Sequence, residues 1–174
     1  MQVLDHDKVS LRMAAAAEEI YDIVADVTRT PEFSPEVLRC RWVGGAEGPA
    51  VGARFKAVNR VARGPAWSNK PVVIAAERGR EFAFSRTEPF GGTMVWRYTF
   101  VPDGTGTIVS ESYDVVEPVK RPMWFLIERV CGRRDRRTDL REGMTQTLDR
   151  LRAAVEAKTA PHPNSVRPAP PGAR

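Results

Sequence analysis

The period of the hydrophobic pattern changes once along this chain, and that change limits what it can fold into. Between Leu38 and Val116, apolar and polar residues alternate along most of the sequence. From Asp135 to Glu156 (DRRTDLREGMTQTLDRLRAAVE), Leu140, Met144, Thr147, Leu148, Leu151 and Val155 recur at helical spacing instead. Alternation sends every second side chain to one face of a strand, whereas the later spacing draws an apolar stripe along one side of a helix. A helix of that length runs about 33 Å and must lay its stripe on the sheet. The predicted fold class is therefore α+β, a curved antiparallel sheet of about seven strands wrapped round a long C-terminal helix. A space left between the two is where function is expected.

The remaining elements follow from local signals. Residues 1–7 read as a loose lead-in, and Val9, Leu11 and Met13 then alternate as a first short strand. Ala14–Ala17 favour helix, and Ile20, Ile23, Val24 and Val27 share one side of it. Thr30-Pro31 predicts a second short helix, a capping hydroxyl followed by proline in the first turn, with Pro35 limiting its length. Strands follow on the alternations of Leu38, Cys40 and Trp42; of Ala53, Phe55, Ala57 and Asn59; and over Trp67–Ala76, irregular near Pro71. Next come Phe82 with Phe84, then Met94, Trp96, Tyr98 and Phe100, then Val109, Glu111, Tyr113 and Val115. Gly79 marks one turn, and Asp103-Gly104 is a hairpin signal. One domain spans residues 8–157. Residues 158–174, with Pro161, Pro163, Pro168, Pro170 and Pro171 and almost no apolar side chain, read as a disordered tail.

Composition narrows the function classes. The chain is 174 residues long, 42% hydrophobic and 28% charged, ordinary for a soluble globular protein. It has no apolar run of about 18 residues, so no membrane span is expected. The opening MQVLDHDKVS lacks the charged and apolar regions of a signal peptide. Cys40 and Cys131 form no metal or redox spacing, which points to free thiols and a cytoplasmic location. The net charge of +5 is concentrated around Lys120–Arg141. That segment reads as a solvated helix face, not a nucleic-acid patch: Trp124 and Phe125 sit in the apolar run MWFLI, whereas RNA readers pair basic residues with exposed aromatics. HExxH, paired CxxC, Walker A, GxGxxG and GxSxG motifs are absent. His6 and His162 fall near the two ends, in stretches read as mobile, so neither a histidine triad nor a metal centre is expected, and no cofactor is implied.

The element order and several segments carry a family likeness: VSLRMAAAAEEIYDIVADVTRTPEFSPEV, GARFKAVNR, WRYTF before the Asp-Gly turn, TIVSESY after it, and LREGMTQTLDRLRAAVE. Together they resemble the helix-grip fold of the START-like (SRPBCC) superfamily, in its bacterial polyketide cyclase/dehydrase-type branch, over residues 8–157. The resemblance implies a deep apolar pocket between sheet and long helix that holds lipids, polyketides or other hydrophobic molecules. Some members of that superfamily catalyse cyclisation or dehydration, and many only bind. No aromatase/cyclase active site maps onto this chain residue by residue, and the gate and latch motifs of the plant hormone receptors are absent.

Strand parity then nominates a ligand-binding set: Phe55, Asn59, Trp67, Phe84, Trp96, Tyr98, Glu111 and Tyr113, with Met144 and Leu148 from the helix. They are expected to border a cavity of a few hundred cubic ångströms. Asn59 and Glu111 stand out as polar residues in phase with apolar neighbours, because a buried polar group needs a partner. Glu111 has three open roles: pairing with a strand arginine such as Arg97 or lying at a solvated edge, bonding a ligand or water, and acting as a general base with a raised pKa. Asn59 either bonds a neighbouring strand or meets ligand. Arg86 shares the phase of Phe84, so it either meets an acidic ligand head at the mouth or stands exposed. Three functions stay open: binding of a small hydrophobic ligand by a monomer or homodimer, a polyketide cyclase/dehydrase-type enzyme using Glu111 or Tyr113 with Asn59, and an interaction module with a filled core.

Overall fold

The structure is a computed structural model that describes residues 4–60, 65–88, 92–118 and 135–159. The basic run up to Arg134, Cys131, His162 and the proline-rich stretch after residue 159 lie outside the described residues. In chain order the elements are β1 (His6–Met13), α1 (Ala17–Ala25), a 3-10 turn (Val27–Arg29), α2 (Thr30–Phe33), β2 (Val37–Val43), β3 (Arg54–Asn59), β4 (Trp67–Asn69), β5 (Val72–Glu77), β6 (Glu81–Glu88), β7 (Gly92–Asp103), β8 (Gly106–Glu117) and α3 (Arg136–Thr159). The sheet is antiparallel in the order β1-β8-β7-β6-β5-β3-β2, with β4 paired to β3. This is the predicted α+β class, with short helices after the first strand and a long helix at the end.

Local chemistry explains where the elements depart from the expected bounds. β1 starts at His6, inside the stretch read as a lead-in, because its first residues find partners. His6 Nδ1 lies 2.7 Å from Asp114 Oδ1, and Arg141 donates to Asp7 Oδ1 at 2.6 Å. His6 is thus a strand residue and not part of a mobile end. The run Trp67–Ala76 is not one strand. It divides at Lys70-Pro71 into β4 and β5, since proline has no N–H to give a ladder. The Pro71 carbonyl still accepts from Phe55 N. Thr30 does not cap α2 from outside but forms part of it, and Asp26 instead caps the preceding 3-10 turn by accepting from Thr28 N at 3.1 Å. Gly104 takes φ +60° in the turn joining β7 to β8, as Asp-Gly hairpins require. At Gly92, φ is +78° and a Cβ would fall 2.1 Å from the Glu117 carbonyl oxygen, so only glycine fits.

Asp135 caps α3, accepting from Thr138 N at 3.0 Å. The helix then buries Leu140, Met144, Leu148, Leu151 and Val155, the stripe its spacing predicted. It packs on β1, β8 and α2. Leu148 and Leu151 join Ile20, Phe82 and Phe100 in the main core, where Tyr21 of α1 meets the Phe82 and Phe100 rings edge-on at 6.3 and 5.7 Å. A second cluster of Met94, Tyr113, Leu140 and Met144 lies toward the start of α3.

Candidate functional site

Between the first half of α3 and the sheet the packing opens into a cavity of about 90 Å³. Strand parity builds its floor. On β3 the alternation that buries Phe55 and Ala57 turns Asn59 inward as well. On β7 Trp96 and Tyr98 reach the cavity, and on β8 Glu111 does so between Val109 and Tyr113. Asn59 and Glu111 are each 4% exposed. The roof comes from α3, where Leu140 and Met144 form one row at i+4 spacing and Asp139, Gly143 and Thr147 form the row beside it. Thr30, Ser34, Pro35 and Glu36 close one end from α2 and the link to β2.

The polar chemistry centres on Glu111. Tyr98 stands directly opposite it across the β7–β8 ladder and donates its Oη hydrogen to Glu111 Oε1 at 2.7 Å. Glu111 Oε2 and Asn59 Nδ2 are buried with no hydrogen-bond partner. Burial pushes the Glu111 carboxyl up to about 8, although the bond from Tyr98 pulls the other way. Burial raises the Tyr98 phenol well above its usual range, and the Glu111 charge and the bond donated to it add to that rise. This pair can hold and exchange a proton near neutral pH. A second polar group lies on the strand side. Glu88 Oε1 accepts from Asn69 Nδ2 at 3.0 Å and Trp67 Nε1 at 3.3 Å, and Arg86 Nε lies 3.3 Å from it. Asn69 Oδ1 is left as a buried acceptor with no partner. Burial lowers the Arg86 pKa, with the Glu88 charge opposing. Arg136 clamps Glu36 through two bonds of 2.6 and 2.9 Å.

Of the residues nominated by parity, Asn59, Phe84, Trp96, Tyr98, Glu111 and Met144 meet around this cavity. Phe55 lines a smaller adjoining space of about 40 Å³, which shares Thr30, Phe84, Tyr98 and Thr147 with the first. Tyr113 is fully buried behind the wall, its ring 5.6 Å from that of Trp96. Leu148 belongs to the packed core. Trp67 is carried off by the break at Pro71, and its indole bonds Glu88 instead. Arg97 does not pair with Glu111. It has the opposite parity and forms an ion pair with Glu81. The low exposure of Glu111 also removes the solvated-edge reading. Arg86 is neither at large in solvent nor free, being 17% exposed and paired. The space is smaller than the few hundred cubic ångströms expected, because the Phe84, Trp96, Tyr98 and Met144 side chains occupy much of the gap.

Sequence reading missed Asn69, Glu36, Glu88, Arg136, Asp139 and Gly143. The last two carried a usable signal, since Asp139, Gly143 and Thr147 recur at i+4 beside the apolar row. The described part of the basic segment is also tied into the fold: Arg136 pairs with Glu36 and Arg141 with Asp7. Among the described residues no His, Cys, Asp and Glu group is arranged to hold a metal ion, and no helix is long and apolar enough to cross a membrane.

Residues 8–156 match the family described as polyketide cyclase / dehydrase and lipid transport. Among solved structures, the chain is similar to a polyketide-cyclase-like protein of Corynebacterium glutamicum, at 29% identity and TM-score 0.60, covering 94% of this chain and 98% of that one. It is similar in fold to a START superfamily protein of Mycobacterium smegmatis, at 19% identity and TM-score 0.64, covering 89% and 99%. The di-domain aromatase/cyclase of the steffimycin biosynthetic pathway aligns at 16% identity and TM-score 0.71, covering 90% of this chain and 52% of that one. No curated protein sequence matches the chain.

Proposed function

Since this chain belongs to the polyketide cyclase / dehydrase and lipid transport family, we propose that it binds a small hydrophobic molecule between the sheet and α3. One observation carries the reading. Inside a mostly apolar enclosure, Glu111 Oε2 and Asn59 Nδ2 are buried without partners. Leaving such groups unpaired costs about 1–3 kcal/mol each, a cost that a ligand or water bonding them would relieve. Sites for small molecules have this composition, apolar walls with a few convergent polar atoms. Asn59, Phe84, Trp96, Tyr98, Glu111 and Met144 would touch the ligand. A larger ligand would draw in Phe55 by joining the adjoining space, which Phe84 and Tyr98 separate from the main cavity. An interaction module with a filled core would be expected to pair these atoms within the protein. Cys40, a buried free thiol, fits a reducing cytoplasm.

Native mass spectrometry of the protein purified from its own host tests the reading. A mass increment that vanishes on denaturation is expected, and it should diminish in a folded Met144→Trp variant whose indole occupies the cavity. Protein that carries nothing and takes up nothing from a host extract would sink the idea.

A second reading rests on the raised Glu111 pKa. A carboxyl near 8, hydrogen-bonded to Tyr98, is tuned for proton transfer as in a cyclase or dehydratase. Turnover of a bound polyketide-like ketone, lost in Glu111→Gln, would favour it.

A further inference from the structure

Building on the binding reading, we propose that the cavity takes a neutral ligand through a carbonyl-type oxygen, with Glu111 as an uncharged acid donating to it from Oε2. Oε1 is already occupied by the Tyr98 hydroxyl at 2.7 Å, so Oε2 is the atom left to meet a ligand. Whether it acts as donor or acceptor depends on charge. Among the described residues the other charged groups lining the space are Arg86 from β6, Glu36 before β2 and Asp139 from α3. Arg86 is engaged by Glu88, and Glu36 by Arg136. Among the described residues, therefore, no unengaged cation lines the space beside Glu111. A carboxylate held this way would be both desolvated and unneutralised, so the acid keeps its proton. Tyr98 uses its own hydrogen on Oε1, which leaves the acid hydrogen on Oε2 without an acceptor among the described residues.

Asn59 Nδ2 on β3 is a second buried donor lining the same cavity. Asn69 Oδ1, in the Arg86–Glu88 group, is a buried acceptor with no partner. The ligand that fits this pattern accepts hydrogen bonds at the Glu111 and Asn59 positions and carries no anion there. An aldehyde, ketone or ester meets that condition, and a carboxylate does not.

Cyclopentanone and methylenecyclopentane differ by C=O against C=CH2 and are small enough for the cavity as it stands. Their dissociation constants, measured by NMR titration, give a ketone-to-alkene affinity ratio that cancels shape and most of the packing. At pH 6.5 this ratio should fall about tenfold in Glu111→Met, the worth of one good hydrogen bond. It should be kept in Glu111→Gln, whose amide still donates. Raising the pH to 9 should lower the ratio in the wild-type protein and leave it flat in Glu111→Gln. If both probes bind and the ratio is the same in wild type and Glu111→Met, or ignores pH in the wild type, the carbonyl assignment is overturned while binding stands. If neither probe binds, the binding reading falls and takes this one with it. Should Glu111→Met fail to fold, the pH contrast between wild type and Glu111→Gln decides alone.

Discussion

Glu111 is buried against a phenol, so ionising it means placing a charge where water does not follow. In the unfolded chain a glutamate titrates near 4.3, and in the fold this one titrates at about 8. Below the lower value both states hold the proton and the group is neutral toward folding. Between the two values the folded state keeps a proton that the unfolded state has released, so stability falls as pH rises. Above the folded value the whole cost is present. At about 1.4 kcal/mol per pH unit, the wild type should lose a few kcal/mol relative to Glu111→Gln between pH 4.5 and 8.5, read from urea unfolding. Parallel pH profiles would mean that water reaches the carboxyl. At this scale the sequence was partly legible. Parity put Asn59 and Glu111 on the inner face, where both are buried, but the same rule applied to Arg97 would have removed it as a partner for Glu111, which the sequence reading did not do. The Tyr98 partner was available too. Counting back from Asp103 and forward from Gly106 across the Asp-Gly turn sets Tyr98 opposite Glu111. The salt links Glu36–Arg136 and Arg86–Glu88 were harder to foresee. The first joins residues far apart in the chain, and the second depends on how β6 ends.

Among the elements, α3 was the most legible, because its burial pattern is a property of one continuous stretch. Leu148 is fully buried in the main core and away from the cavity, so Leu148→Ala should cost about 2–5 kcal/mol in chemical unfolding. A loss well under that range would mean the helix sits loosely on the sheet. Asp135→Ala removes the N-cap bond to Thr138 and should cost about 1 kcal/mol without altering the core. Thermal unfolding of the two variants together therefore separates helix initiation from helix docking. The strands were legible where they alternate cleanly, as β3, β7 and β8 do. They were less so at Pro71, where the missing N–H was evident but its consequence was not. The break makes two strands from one run, sends Trp67 to Glu88 and brings Asn69 to the cavity. A residue's destination past such a break depends on which neighbour the next segment pairs with, a tertiary fact that local alternation does not contain.

For the molecule as a whole, the question is how much of the gap between helix and sheet is held open. Gly143 bears on it directly. It sits inside α3, where glycine is a poor helix former, and it lines the cavity. A Cβ built there meets Pro35 Cγ at 3.8 Å, an ordinary contact. Nothing steric requires glycine at this position, so its absence of a side chain is most simply space. Gly143→Ala should then raise stability by about 0.5–1 kcal/mol through helix propensity, a Tm gain of a few degrees. The same methyl would take room from a cavity of only about 90 Å³ and weaken retention of the co-purifying molecule in native mass spectrometry. The two readouts should move in opposite directions. A variant that is more stable and binds equally well would show that the ligand lies elsewhere. A variant that is less stable would show that α3 and the Pro35 turn already touch more closely than 3.8 Å allows. Only a fold that keeps an opening beside its own long helix predicts a stabilising substitution that costs it its ligand.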